Sequence, residues 1–123
     1  LILAVDDDPI ILEVVKHYIE SMEGYELVTV ESVANALEVF QQDKRRFDCC
    51  LVDIQMPDID GIEFCKTLRN TSIYQRTPII MLTAMSEKSY IDNAFSAGAT
   101  DYITKPFEIN SLKGRLSLVK QVS

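Results

Sequence analysis

The stretch DCCLVD, residues 48–53, places four apolar side chains in a row between two aspartates. A continuous apolar run of this length is typical of a strand buried on both faces, as the interior strands of parallel sheets are. Two similar runs lie on either side of it in the sequence, LILAV at residues 1–5 and IIMLT at residues 79–83. We therefore expect three interior strands, with two further strands at residues 26–30 and 100–103, of which 26–30 resembles an edge strand.

The segments between these strands have helical periodicity. In the first segment Asp8 is the expected N-cap, Pro9 occupies the first helical position, and Gly24 is expected to end the element. The apolar residues of that helix share one face, at Ile11, Val14, Val15, Tyr18, Ile19 and Met22. Further helices are predicted after Ser32, after Gly61, after Ser86 with Tyr90, Ile91, Ala94 and Phe95 as its apolar residues, and from Ile109 to Val119. Alternating strands and helices predict one α/β domain, residues 1–123, with a parallel sheet covered on both faces.

Polar side chains follow these strands at their carboxyl ends. They are Asp6 and Asp7 after the first strand, Asp53 at the end of the third, Thr83 at the end of the fourth and Lys105 after the fifth. The carboxyl ends of parallel strands lie on one edge of an open sheet, where ligands bind at the point at which the strand order reverses. We expect these five side chains to converge on one site.

Three of these side chains are carboxylates, which raise each other's pKa unless a cation neutralises them. Oxygen ligands without thiolates or paired imidazoles favour a hard ion, and a small open cluster that keeps its waters suits Mg²⁺ better than Ca²⁺. Beside that ion, Asp53 is the candidate nucleophile, since a carboxylate can attack phosphorus and form an acyl phosphate. Lys105 would supply a positive charge, and Thr83 a hydroxyl donor, to the phosphoryl oxygens.

The composition argues against several other classes of protein. The chain carries 12 basic and 19 acidic residues, a formal net charge of −7, and its basic residues are scattered, so we expect no direct nucleic-acid binding by this domain. The apolar runs are too short to cross a bilayer, so we expect no membrane association. The three cysteines have no metal-ligand spacing, and two of them lie in an apolar run. This usage favours a cytoplasmic location.

The sequence resembles response-regulator receiver domains of two-component signal transduction over essentially its whole length. The resemblance is carried by Val5-Asp6-Asp7, Asp53-Ile54-Gln55-Met56-Pro57, Asp60-Gly61, Thr83-Ala84, Gly98-Ala99 and Lys105-Pro106-Phe107. Each dipeptide is common, but their order and their placement at predicted strand ends are specific. The resemblance implies a flavodoxin-like (βα)5 fold, a three-layer sandwich whose five-stranded parallel sheet has the order 2-1-3-4-5.

The resemblance also implies roles for individual residues in a phosphorelay. Asp53 would be the phosphoacceptor, and the domain would be a signalling switch rather than an enzyme. The Mg²⁺ ligands it implies are Asp7, Asp53, the backbone carbonyl of Gln55 and, through a water, Asp6. Tyr102 occupies the position of the family's switch aromatic and would rotate inward when Thr83 moves toward the phosphoryl group.

The partners implied by the resemblance are other proteins. The donor would be a phosphohistidine on a sensor histidine kinase or a histidine phosphotransfer protein. An output domain, a separate target protein and a homodimer formed through the fourth helix, fifth strand and fifth helix all stay open. So does the choice between a stand-alone regulator, an excised domain and the receiver of a hybrid kinase.

Three alternative hypotheses of function fit the sequence less well than a phosphorylated receiver domain. The nearest is a receiver-like interaction module that works without phosphorylation, although every acceptor-site residue is present. A flavodoxin-like electron carrier would need a Ser/Thr/Gly-rich phosphate loop after the first strand, where this chain has Asp6-Asp7-Asp8. A phosphatase of the aspartyl-phosphate type would need a second carboxylate two residues after the nucleophile, where this chain has Gln55.

Overall fold

The computed structural model describes residues 1–42, 46–54, 61–83, 88–105 and 109–122. Strands and helices alternate along the chain, which confirms the predicted α/β class. They are β1 (Ile2–Val5), α1 (Pro9–Glu20), β2 (Leu27–Val30), α2 (Val33–Gln42), β3 (Cys49–Asp53), α3 (Gly61–Arg69), β4 (Ile79–Thr83), α4 (Lys88–Ser96), β5 (Asp101–Thr104) and α5 (Ile109–Val122). In the described part of the chain, no helix is both long and apolar enough to span a membrane.

The five strands form one parallel sheet in the order β2-β1-β3-β4-β5. This confirms the order implied by the resemblance and the edge position predicted for residues 26–30. Val5 pairs with Val52, Asp53 pairs with Leu82, and the neighbouring Thr83 pairs with Thr104. The register therefore brings the carboxyl ends of β1, β3, β4 and β5 to one edge at nearly the same level.

The sheet is buried on both faces, as the continuous apolar runs predict. Because side chains alternate along a strand, each interior strand contributes to two hydrophobic layers. One layer packs Leu3, Val5, Cys50, Val52, Ile79 and Met81 against residues of α2, α3 and α4. The other packs Ile2, Ala4, Cys49, Leu51, Ile80 and Leu82 against residues of α1 and α5. All three cysteines are free and buried, and burial raises the pKa of the Cys49 thiol to about 12, so it behaves as a small apolar side chain.

The predicted start of α1 is confirmed, but its predicted end is wrong. The Asp8 carboxylate accepts a hydrogen bond from the backbone N–H of Ile10 at 2.9 Å, as an N-cap does. The helix ends at Glu20 with Ser21 as the C-cap, well before Gly24. Gly24 has a φ of 88° and reverses the chain in the turn that follows, so the glycine marks the turn and not the helix end. Met22 lies after the helix yet still packs against the layer beneath α1, which explains why it fitted the helical pattern.

The apolar face predicted for α4 is also partly wrong. Ala94, in the last turn of α4, and Ala97, just after the helix, are 2% and 7% exposed, whereas Phe95 is 43% exposed. Two small buried residues let the end of the helix approach the sheet closely, and the large ring at position 95 stays at the rim. The predicted cap Ser86 lies outside the described residues.

Candidate functional site

The carboxylates predicted at the strand ends converge at the carboxyl edge of the sheet. Asp6, Asp7 and Asp53 each offer one oxygen, and these three atoms lie within 4.8 Å of one another. Lys105 reaches the same cluster from the end of β5, and Thr83 is buried at the end of the intervening strand β4. The structure thus brings four of the five predicted side chains into one cluster and places the fifth on the strand between Asp53 and Lys105.

Asp6 is the most deeply buried member of the cluster, with none of its surface exposed. Its Oδ2 atom accepts a hydrogen bond from Lys105 Nζ at 2.7 Å, and its Oδ1 atom accepts one from the backbone N–H of Asp8 at 2.9 Å. Its own backbone N–H donates to the Val30 carbonyl oxygen at 3.2 Å, which extends the ladder between β1 and β2 by one residue. Both carboxylate oxygens of Asp6 are therefore engaged by the protein.

Lys105 is held between two aspartates. Its Nζ atom lies 2.7 Å from Asp6 and 3.3 Å from Asp53 Oδ1, and its side chain is only 14% exposed. Burial alone would lower the pKa of this lysine, but the bond to Asp6 and the charges of both aspartates outweigh it and raise the pKa. The backbone N–H of Lys105 donates to the Thr83 carbonyl oxygen at 2.7 Å, which continues the pairing of β4 with β5 and aims the lysine along the sheet edge.

Asp53 has the most perturbed carboxyl group of the site. Burial and the negative charge of Asp6 raise the pKa of Asp53 from 3.8 to about 7, and Lys105 offsets only part of this effect. A carboxylate at this position is therefore costly unless another cation joins Lys105. The same cation would lower the pKa of Asp53 and keep it in the anionic form that a nucleophile requires.

Gly61, the first residue of α3, packs directly against the backbone of Asp53. A Cβ atom at residue 61 would lie 2.0 Å from the Asp53 carbonyl oxygen, so only glycine lets the start of α3 approach β3 this closely. The backbone N–H of Gly61 donates to the Ile54 carbonyl oxygen at 2.8 Å, which fixes this approach. The sequence marks Gly61 as part of a motif, but the contact that requires it joins residues distant in sequence and is visible only in the fold.

The cluster fits a hard divalent cation. Two oxygens bound to one Mg²⁺ at about 2.1 Å can be at most about 4.2 Å apart, and the three carboxylate oxygens here are already nearly that close. Asp7 is exposed, which leaves one side of the cluster open to water and to a phosphoryl group. The Gln55 carbonyl, which the resemblance implies as a further ligand, lies outside the described residues.

Tyr102 lies on β5, one strand away from Thr83, and is partly buried against the layer under α2, α3 and α4. It pairs with Met81, and Thr83 follows Met81 by two residues on β4, so Tyr102 and Thr83 face the same side of the sheet. The Phe95 ring packs edge to face against Tyr102, with ring centroids 6.0 Å apart and planes at 82°. The sequence pattern does not reveal this pair, because helical periodicity predicts Phe95 on the buried face of its helix.

Comparisons with known proteins agree with this fold and site. The family model of the response regulator receiver domain matches residues 2–117, so the chain belongs to the response regulator receiver domain family. The heme response regulator HssR of Staphylococcus saprophyticus is 40% identical over 117 residues, which are 95% of this chain and 50% of that protein. The chain spans about half the length of the curated relatives that it matches.

Solved structures show the same relationship. The chemotaxis protein CheY4 of Vibrio cholerae superposes with a TM-score of 0.88 at 37% identity, covering 96% of each chain. The receiver domain of the sensor histidine kinase PA1611 from Pseudomonas aeruginosa has a TM-score of 0.83 at 32% identity, covering 95% of this chain and 93% of that one. That receiver has a magnesium ion coordinated in its active-site cleft.

Proposed function

We propose that this domain accepts a phosphoryl group on Asp53 in a Mg²⁺-dependent reaction and changes its partner-binding surface in response. The observation that best supports this is the cluster of three carboxylates, two of them paired with Lys105, at the carboxyl edge of the sheet. In this cluster, Lys105 offsets only part of the negative charge around Asp53. The site therefore favours binding of a further cation, and then of a phosphoryl donor. The domain, residues 1–123, acts as a cytoplasmic signalling switch rather than as an enzyme with a separate substrate.

The metal ligands in this proposal are Asp7, Asp53 and the backbone carbonyl of Gln55, with Asp6 acting through a water. Support for an indirect role of Asp6 comes from its two oxygens, which already accept hydrogen bonds from Lys105 and from the Asp8 backbone. Asp7, in contrast, is exposed and close to Asp53. The chemistry that Mg²⁺ supplies when bound is neutralisation of charge on the carboxylates and on the phosphoryl oxygens.

The transfer itself uses the side chains of this chain. An Asp53 carboxylate oxygen forms a bond to phosphorus while the bond from phosphorus to the histidine nitrogen of the donor breaks and leaves its electron pair on that nitrogen. Lys105, 3.3 Å from Asp53 Oδ1, stabilises negative charge on the transferred phosphoryl oxygens. The Thr83 hydroxyl donates a hydrogen bond to one of these oxygens.

The response spreads from Thr83 to the surface formed by α4, β5 and α5. When Thr83 moves toward the phosphoryl group it vacates space on the sheet face that it shares with Tyr102, and the Tyr102 ring turns inward. The donor is a sensor histidine kinase or a histidine phosphotransfer protein, and an output domain, a target protein or a second copy binds the altered surface. An output region beyond this chain is supported by the greater length of the curated relatives.

The experiment that tests the proposal is a phosphorylation assay read by intact mass. The domain is incubated with Mg²⁺ and acetyl phosphate or phosphoramidate, beside an Asp53→Asn variant and a sample with chelator. We expect one phosphoryl adduct that requires both Mg²⁺ and Asp53. If no adduct forms at short sampling times and beryllofluoride also fails to bind, the domain is a phosphorylation-independent interaction module instead.

A further inference from the structure

The pair formed by Phe95 and Tyr102 stands at the rim between α4 and β5. The two rings meet edge to face, an arrangement that aromatic side chains favour because the positive edge of one ring points at the negative face of the other. Phe95 is 43% exposed and Tyr102 is partly buried. Among the described residues, Phe95 forms an aromatic ring contact with Tyr102.

The packing of α4 explains why this ring is at the rim. Ala94 and Ala97, on either side of Phe95 in the sequence, fill the space between the end of the helix and the sheet. A phenylalanine between them gains little by packing under the helix, so its ring extends toward β5.

Tyr102 lies close enough to Thr83 for a movement of Thr83 to affect the Tyr102 ring. The two residues lie on neighbouring parallel strands, on the same face, and are offset by two residues. From the strand spacing and the rise per residue, their Cα atoms are roughly 8 Å apart. A ring that turns inward from Tyr102 would enter the space beside Thr83, and in doing so it would leave Phe95.

We propose that Phe95 is a latch that holds Tyr102 in the arrangement seen here, with the two rings in contact, and so lowers the population of the active form of the domain. The inference rests on the proposed function, because the inward arrangement is the one that phosphorylation would favour. Inward rotation breaks the edge-to-face contact, and an aromatic pair of this kind shifts a two-state equilibrium by about two- to tenfold. Phe95 is thus a positioning residue that acts through Tyr102 and sets how readily the domain switches.

The latch predicts a change in affinity for a phosphoryl mimic. A ligand that binds one of two conformations binds more tightly when that conformation is more populated. The test measures the apparent Kd of beryllofluoride at saturating Mg²⁺, by titration calorimetry, for the parent, Phe95→Leu, Phe95→Met and Phe95→Tyr. Leucine and methionine remove the ring but keep an apolar side chain, whereas tyrosine keeps the ring and adds a hydroxyl to a side chain that is 43% exposed.

We expect beryllofluoride to bind about two- to tenfold more tightly to Phe95→Leu and Phe95→Met than to the parent. Phe95→Tyr should match the parent. The Kd of Mg²⁺ alone should be the same in all four proteins, since the latch acts on the switch and not on the carboxylates. Loss of packing alone would not raise affinity for the mimic, so a purely structural role predicts equal or weaker binding.

The outcomes distinguish failure of the latch alone from failure of the proposed function. If the parent binds beryllofluoride but the ring-free variants bind it no more tightly, the latch is wrong and the proposed function stands. If the Tyr variant binds as tightly as the Leu variant, the ring contact is not the cause and the latch is again wrong. If the parent does not bind beryllofluoride at all, the proposed function fails, and the latch fails with it.

Discussion

Replacement of Asp53 by asparagine should stabilise the metal-free domain, and the gain should depend on pH. The substitution keeps the shape of the side chain and removes its charge. In the folded protein, burial and the charge of Asp6 raise the pKa of Asp53 from 3.8 to about 7, while Lys105 opposes this rise only in part. The folded state therefore holds the proton on Asp53 more tightly than the unfolded chain does.

The sign and the size of the effect follow from this difference. Between about pH 4 and pH 7 the folded state binds more protons at Asp53 than the unfolded state, so the free energy of unfolding falls as the pH rises. One pKa unit corresponds to about 1.4 kcal/mol, so a shift from 3.8 to about 7 sets an upper bound of about 4 kcal/mol. Asparagine does not titrate, and Asp53→Asn should gain up to this amount relative to the parent as the pH rises.

The assay is urea unfolding of the parent and Asp53→Asn at several values from about pH 4 to pH 8, first with chelator and then with Mg²⁺. With chelator, the stability difference between the two proteins should widen until about pH 7 and then level off. With Mg²⁺ the difference should narrow, because Asp53 is one of the proposed ligands and the ion therefore stabilises the parent more than Asp53→Asn. Glu13→Gln, the same chemical change at an exposed position of α1, should show neither behaviour. A stability difference that is constant across this range, or that Mg²⁺ does not narrow, would refute the electrostatic account of the site.

Four further substitutions test the backbone and the charges of the fold. Gly61→Ala should lower the free energy of unfolding by about 1–3 kcal/mol, because its Cβ would lie 2.0 Å from a backbone oxygen of β3. Gly114→Ala, at an open position of α5, should raise it by about 0.5–1 kcal/mol, and urea unfolding of the two variants separates contact from propensity. Arg69→Met should lower the free energy of unfolding by about 2–3 kcal/mol and speed hydrogen exchange in the loop before β5. The reason is that the Arg69 guanidinium donates hydrogen bonds to carbonyl oxygens in the loop before β4 and in the loop before β5. Unchanged hydrogen exchange in the loop before β5 would contradict this. Lys105→Met should cost about 3–5 kcal/mol at neutral pH, because it leaves the fully buried Asp6 without its counter-charge, and adding Asp6→Asn should restore part of the loss in the same unfolding assay.

Local sequence patterns were sufficient for the elements but not for all of their ends. The apolar runs at residues 1–5, 48–53 and 79–83 predict interior strands because burial on both faces leaves no alternation to read. The end of α1 was predicted wrongly because a glycine with positive φ can follow a helix directly or lie in a later turn, as Gly24 does. The strand order came only from the resemblance to a family, since pairing between parallel strands joins residues that share no local signal.

For the site, strand ends predicted which side chains meet but not how they interact. Asp6, Asp7, Asp53 and Lys105 converge because parallel strands end on one edge. That Asp6 is fully buried with both oxygens engaged depends on the turn at Asp8 and on the reach of Lys105, which only the assembled fold defines. Phe95 was misplaced for a similar reason, because apolar residues on a short helix do not reveal which of them the sheet has room for.

The charges of the site connect its chemistry to the ring pair. Three carboxylates and one ammonium leave a net charge of −2 when Asp53 is ionised, which one divalent cation cancels. Under the proposed function, a phosphoryl group on Asp53 would add negative charge, which Lys105 and the Thr83 hydroxyl would stabilise. Thr83 and Tyr102 face the same side of the sheet. A movement of Thr83 toward the phosphoryl group would therefore open the space into which the Tyr102 ring can turn. In the proposed switch, a stronger contact between Tyr102 and Phe95 would leave less of the free energy of phosphorylation to favour the active form.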